Sequence, residues 1–369
     1  MSEFSIMEDF IAQFDIETHL DNYLNELPED TDHITISNQN LTRVPSLSRF
    51  KKLDYLNISN NQLTELPELP ESITTLYVDQ NNITHLPILP NRLVYLECSN
   101  NNLEYLPELP NNLGFLYCGN NSIIRLPNLP ENLSILYCAN NKLTHLPNLP
   151  SQLVYLFCKN NCLTYLPTLP DGLTCLECEI NNIRELPPLP YNLEVLVCCS
   201  NQITFIPELP AKLNVMYCSE NPLSCLPNLP NELTYLVCKN CNITRVLSFP
   251  ETLCYVNIRY NPLRTIGLLP SNMIDIKLEE TKIYEIIGPI KNPVNSTVVN
   301  VINSRLTVLN AFRELYYYIK FKKKLRDWLW LKVRLPRIER MNHPTILRNA
   351  LENVEKDEEF EETIKNFGK

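Results

Sequence analysis

Fourteen cysteines are the first residues in this sequence whose type suggests chemistry. Eight of them, Cys98, Cys118, Cys138, Cys158, Cys178, Cys198, Cys218 and Cys238, recur every 20 residues. Thiolates carried one per strand would lie about 4.8 Å apart, a spacing that raises the question of a soft metal. The column, however, contributes a single inward sulfur per strand, which is not the paired-ligand geometry of a zinc knuckle. Ile58, Val78, Ile258 and Leu278 hold the same position in the flanking units and mark it as core. Free Cys packs there as a compact hydrophobe, so the column is expected to be structural, with no metal. The remaining cysteines, at 162, 175, 199, 225, 241 and 254, occupy six different repeat positions. No disulfide framework is expected from them.

Histidine offers little more. Five are present, at 19, 33, 85, 145 and 343. His85 and His145 share a repeat position but sit three layers apart, roughly 14 Å, too far to hold one ion. Both follow Thr just before Leu-Pro, where surface exposure is expected. Six glycines against 29 prolines leave no phosphate-binding GxGxxG or GxxxxGK loop. With no paired catalytic groups and no cysteine-histidine dyad, the reading is of a non-enzymatic protein without cofactors.

These residues are positioned by a 20-residue period running from about residue 53 to residue 290. One unit reads Leu93-x-x-Leu96-x-Cys98-x-x-Asn101-x-Leu103-x-x-Leu106-Pro107-x-Leu109-Pro110. A degenerate earlier copy uses Ile34, Ile36, Leu41 and Val44, giving about thirteen units. Apolar residues two apart, such as Leu96 and Cys98, predict a short strand with one buried face, and stacked copies predict a parallel sheet. The Asn column, including Asn101, Asn121 and Asn141, falls where the chain leaves the strand. A carboxamide both donates and accepts, so it can satisfy backbone groups at a tight corner. Two prolines within the remaining ten residues disfavour a helix and predict extended, polyproline-like segments.

The LxxLxLxxNxL pattern with LPxLP resembles the short subclass of leucine-rich repeat proteins known from bacterial effectors and giant DNA viruses, over roughly 34–290. The resemblance implies a horseshoe solenoid with a parallel β-sheet on its concave face, an extended convex face, and helical N- and C-terminal caps. Members with chemistry fuse such repeats to a ubiquitin-ligase domain bearing a catalytic cysteine. Here the last cysteine is Cys254, inside the repeats, so that nucleophile is missing. The stretch FRELYYYIKFKKKLRDWLWLKVRLPRIERMNHPTILRNALE resembles tails of mimivirus-type proteins, which points to a giant-virus origin.

Strand side chains alternate, so the neighbours of the buried Leu and Cys must face outward. Listing them gives Tyr55, Tyr77, Tyr95, Phe115, Tyr117, Tyr137, Tyr155, Phe157, Tyr217, Tyr235 and Tyr255. Cross-strand stacking alone would stabilise a sheet, but Tyr also supplies contact area at low entropic cost in interfaces. All but Tyr55 and Tyr255 form the candidate partner-binding set, densest over 95–157. Asp79, Glu97, Glu177 and Glu179 would add a preference for a basic partner.

The net charge of −10 is unevenly spread. Residues 1–310 hold 18 Lys and Arg against 32 Asp and Glu, residues 311–348 hold 11 against 3, and residues 349–369 hold 3 against 7. The repeat bounds and this charge pattern together divide the chain into an acidic N-terminal helical cap (1–32), the solenoid (33–290), a degenerate end repeat or linker (291–310) and a basic helical segment with an acidic tail (311–369). The last helix is expected to shield the open end of the solenoid or dock a partner. Its Lys, Arg and Trp residues would also suit nucleic acid or an anionic surface, although the acidic body makes nucleic acid the weaker reading. An acidic N-terminus without an apolar core is not a signal peptide, and no stretch is long and apolar enough to span a membrane. Together with the thiols, this predicts an intracellular protein, in host cytoplasm or a virion, not secreted. The function expected is a scaffold for a viral or host protein partner. The rival is a substrate-recognition adaptor for ubiquitin transfer.

Overall fold

The computed structural model describes residues 19–283, 299–311 and Lys322. The chain divides into two units, Met1–Asn303 and Ser304–Lys369. In the first, the strands described are β1 (His33–Thr35), β2 (Tyr55–Asn57), β3 (Thr75–Tyr77), β4 (Tyr95–Glu97), β5 (Phe115–Tyr117), β6 (Ile135–Tyr137), β7 (Tyr155–Phe157), β8 (Cys175–Glu177), β9 (Val195–Val197), β10 (Val215–Tyr217), β11 (Tyr235–Val237), β12 (Arg245–Val246), β13 (Tyr255–Asn257), β14 (Thr265–Ile266) and β15 (Asp275–Lys277). Thirteen of them form one parallel sheet in chain order, with β12 and β14 excluded. Register is strict: Leu56 lies opposite Leu76, Leu76 opposite Leu96 and Leu96 opposite Leu116. A constant 20-residue period leaves each strand no other partner in phase.

The core lies behind this sheet as stacked columns. Leu53, Leu56, Ile58 and Leu63, and their counterparts in the following repeats, are fully buried. Each strand ends one residue before the Cys position, so Cys98 and its column begin the corner. The next-but-one residue takes a left-handed conformation in every repeat, from Asn60 (φ 53°) to Glu280 (φ 55°). Six of these corner residues between 60 and 240 are Asn, the non-glycine residue that tolerates that region best.

The two prolines of LPxLP have separable jobs. The second supplies a turn acceptor: Ile73 donates to the Pro70 carbonyl at 3.2 Å and Leu113 to that of Pro110 at 3.0 Å. The first, having no N–H, cannot donate to the neighbouring repeat, and no strand forms where it is present. In the two units where Leu247 and Gly267 replace it, β12 and β14 pair as a second, two-stranded sheet. Gly267 then donates to the Val246 carbonyl at 2.8 Å. A methyl group at 267 would run into the Leu247 carbonyl, which is why Gly stands there.

Residues 19–26 are helical, with Leu20 and Leu24 buried. Arg49 donates to the carbonyls of Asn25 and Leu27, and Arg43 pairs with Asp21 at 3.2 Å. Residues 299–311 are also helical. Asn303 both accepts from the Leu269 N–H (2.8 Å) and donates to the Leu269 carbonyl (2.9 Å). The rest of the expected N-terminal cap (1–18), the end of the expected solenoid (284–290), the first part of the expected end repeat or linker (291–298), and the basic segment and tail beyond Ala311, apart from Lys322, lie outside the described residues.

Candidate interaction face

Strands β2–β6 bury their middle residue and leave the first and third half-exposed, and β1 and β7 bury the middle residue alone, so the outward row is a built surface. Nine rings on it form one continuous series of contacts across β1–β7. The series runs His33–Tyr55 (centroids 4.6 Å), Tyr55–Tyr77 (5.6 Å), Tyr77–Tyr95 (4.9 Å), Tyr95–Tyr117 (5.5 Å), Tyr117–Tyr137 (6.2 Å) and Tyr137–Phe157 (5.8 Å). Phe115 joins through Tyr95 at 6.0 Å and Tyr155 through Phe157 at 6.3 Å. Seven of the nine candidate residues are thus brought together. Tyr235 stacks only with Tyr255, and Tyr217 joins no ring pair among the described residues. Cys175, Glu177, Val195, Val197 and Val215 on β8–β10 interrupt the aromatic row. Sequence reading gave His33 no place in the series; its outward position on β1 was the available signal. Gly119 is a second detail it missed, because the Tyr137 ring lies where a side chain at 119 would be.

The carboxylates beside the rings differ in what neutralises them. Glu179 is only 8% exposed and pairs with Lys159 at 3.0 Å, so the expectation that it offers free charge to a partner is corrected. Asp79 and Glu97 have no cation paired to them among the described residues. Burial pushes both above the usual carboxylate range, and Asp79 adds to the shift on Glu97. Hydrogen bonding from the Ser99 N–H to Glu97 Oε1 (3.0 Å) opposes it. Glu177 is likewise raised, by burial and then by Glu179. Burial and the Tyr77 hydroxyl raise Tyr95, so its phenol stays protonated as a donor.

Behind the face, Cys98, Cys118, Cys138, Cys158, Cys178, Cys198, Cys218 and Cys238 are all fully buried and free. Burial raises the thiols from Cys98 to Cys198; at Cys218 a hydrogen bond with Cys238 acts first and burial second. Such groups are neither nucleophiles nor ready ligands. Two Cys-x-x-Cys spacings do occur, Cys175 with Cys178 and Cys238 with Cys241, yet no cluster among the described residues is able to hold a metal. His85 and His145 are exposed, each bonding its own preceding Thr.

The Asn column sits at the seam between repeats. Asn141 Oδ1 accepts from the Ile123 N–H at 3.0 Å, and its Nδ2 donates to the carbonyls of Cys118, Cys138 and Ala139. Asn101 and Asn121 repeat the pattern with Ile83 and Leu103. Cys241 stands in this column with a weaker substitute, its Sγ 3.5 Å from the Cys218 carbonyl. Leu223, left without a carboxamide, donates instead to the Asn221 carbonyl.

No family model and no curated protein matches the sequence. Solved structures do: YopM, a leucine-rich effector protein from Yersinia pestis, is 34% identical, with a TM-score of 0.64 over 72% of this chain and 75% of that one. The chain belongs to the leucine-rich repeat family. Two further leucine-rich repeat folds resemble it in architecture alone. The functional domain of InlJ from Listeria monocytogenes, which includes a cysteine ladder, is 23% identical (TM-score 0.60, 68% of this chain and 64% of that one). The leucine-rich repeat domain of APL1B is 18% identical (TM-score 0.59, 76% and 86%). Among the described residues, no helix of this leucine-rich repeat chain is long and apolar enough to cross a membrane.

Proposed function

We propose that the chain is a non-enzymatic scaffold that captures a protein partner on the Tyr-rich sheet face, taken as the concave side of the solenoid. The observation that carries this reading is the unbroken aromatic series from His33 to Phe157, whose members stay half-exposed although they touch each other. Stacked rings are already ordered, so a partner binding them freezes few additional rotamers. Fourteen free thiols and no disulfide favour a reducing, intracellular setting.

The test separates binding from folding. Replacing Tyr117 and Tyr137 together by Ala removes exposed area and three cross-strand ring contacts, with Tyr95, with Phe157 and between the two, each worth about 0.2–1 kcal/mol. Replacing the buried Leu116 and Leu136 by Ala costs about 2–5 kcal/mol apiece. With the full chain as bait in affinity capture, the Tyr pair should lose the partner and nearly keep the melting transition, while the Leu pair does the reverse. Equal destabilisation by both pairs, with the folded Tyr variant still binding, would make the ladder purely structural.

A further inference from the structure

The outward row on the third strand position runs Tyr77, Glu97, Tyr117, Tyr137, Phe157, Glu177 across β3–β8, each opposite the next. Two carboxylates therefore bracket three rings. They are four strands apart, about 19 Å at 4.8 Å per strand. Glu97 lies between Tyr77 and Tyr117, and Tyr95 on its own strand contacts both of those rings. Glu97 thus sits among three rings that touch one another, with Asp79 as a second acid beside it that has no paired cation among the described residues. At the other end Glu177 is backed by Glu179, a residue 8% exposed whose Oε2 is buried and has no hydrogen-bond partner. Lys159 pairs directly with Oε1 of Glu179 and attracts Glu177 from further off, without an ion pair to Glu177 among the described residues. Elsewhere acids near this face have their own cations: Glu220 with Lys239, Glu279 with Arg259, Asp275 with Lys277.

Charge complementarity selects the occupant. We propose that this face takes an extended basic peptide laid across β4–β8, with one Arg or Lys in the Glu97 frame and a second on Glu177. An extended chain rises about 3.3 Å per residue and alternates its side chains, so two cations on one face about 19 Å apart are six residues apart. The two positions between them on the same face, two and four residues after the first cation, lie over the stretch from Tyr117 to Phe157 and are apolar. Guanidinium suits the frame best, because it stacks on rings while bonding carboxylate. Phosphate-bearing ligands would meet repulsion from both ends.

This inference rests on the partner-binding reading of the face, and its test distinguishes the two. The probe is a fluorescein-labelled Arg-Ser-Leu-Ser-Leu-Ser-Arg peptide, read by polarisation against the full chain. Glu97→Gln and Glu177→Gln should each weaken binding about tenfold, since each removes a charge-assisted contact. Moving the second Arg one position inward should weaken binding to the unmodified chain but not further to Glu177→Gln. Replacing both Arg by Glu should abolish binding. No measurable binding of the peptide, or equal binding by the Gln variants, overturns the proposal. If truncating Tyr117 and Tyr137 abolishes capture of the partner while the Gln variants change nothing, the face stands and the basic occupant falls. If neither set matters, both readings fall.

Discussion

Ile180 holds a left-handed backbone (φ 56°) at a corner where six equivalent residues are Asn, and it is the one β-branched residue to do so among those described. Its side chain is 45% exposed, so little burial compensates the steric cost of a β-branched residue in that region. Ile180→Asn should therefore stabilise the chain by about 1–2 kcal/mol, measured as an upward shift in the urea midpoint at constant m. A neutral or destabilising result would mean that Ile180 gains elsewhere what it loses in backbone conformation. The same corner explains how residues share work: the left-handed residue turns the chain, and the Asn after it fills the hydrogen bonds the turn exposes. At Asn141 those are one backbone donor and three carbonyls, among which the two N–H bonds of the carboxamide are shared.

Proline decides the behaviour of whole segments. Where LPxLP is intact, the outer side of each repeat carries no strand; where Leu247 and Gly267 replace the first proline, β12 and β14 pair. The close approach of those two segments depends on Gly267, because a Cβ there meets the Leu247 backbone rather than a movable side chain. Gly267→Ala should thus cost about 1–3 kcal/mol and weaken amide-exchange protection at the β12–β14 pairing. Full protection in the Ala variant would show that the pairing tolerates a methyl group. On the opposite face, the continuous ring series extends over seven strands and stops at β8 and β9, which carry Cys175, Glu177, Val195 and Val197 outward, and this gives the binding proposals a defined end.

Over the whole molecule, the stack of buried thiols makes stability depend on alkaline pH. Native thiols at Cys98, Cys118, Cys138, Cys158, Cys178, Cys198 and Cys218 are held well above their ordinary value near 9.0, whereas the unfolded chain ionises there. The native state therefore keeps protons that the unfolded state releases. Its advantage is full below about pH 9 and is lost as pH rises further, by roughly 1.4 kcal/mol per pH unit for each such thiol. In reductant, the melting temperature should fall steeply between about pH 9 and 10.5. Replacing Cys118, Cys138 and Cys158 by Val, which Val78 already places in this column, should flatten that slope. An unchanged slope would assign the alkaline loss to other groups.

The 20-residue period is strong enough to determine the fold class, the parallel in-register sheet and the burial of the Leu and Cys columns, because every strand meets a copy of its own pattern. The outward position of Tyr77, Tyr95, Tyr117 and Tyr137 was legible for the same reason, since side chains alternate along a strand. Their contacts were not: which rings touch, and that His33 begins the series, depends on how side chains lean between strands. The same is true of charge. Glu97 and Glu179 each flank a column cysteine in sequence, one before it and one after, but only the folded chain sets Lys159 against Glu179 and leaves Glu97 among rings. The outer β12–β14 pairing also needed the tertiary structure, because losing a proline merely frees an N–H, and the next repeat must bring a carbonyl within reach.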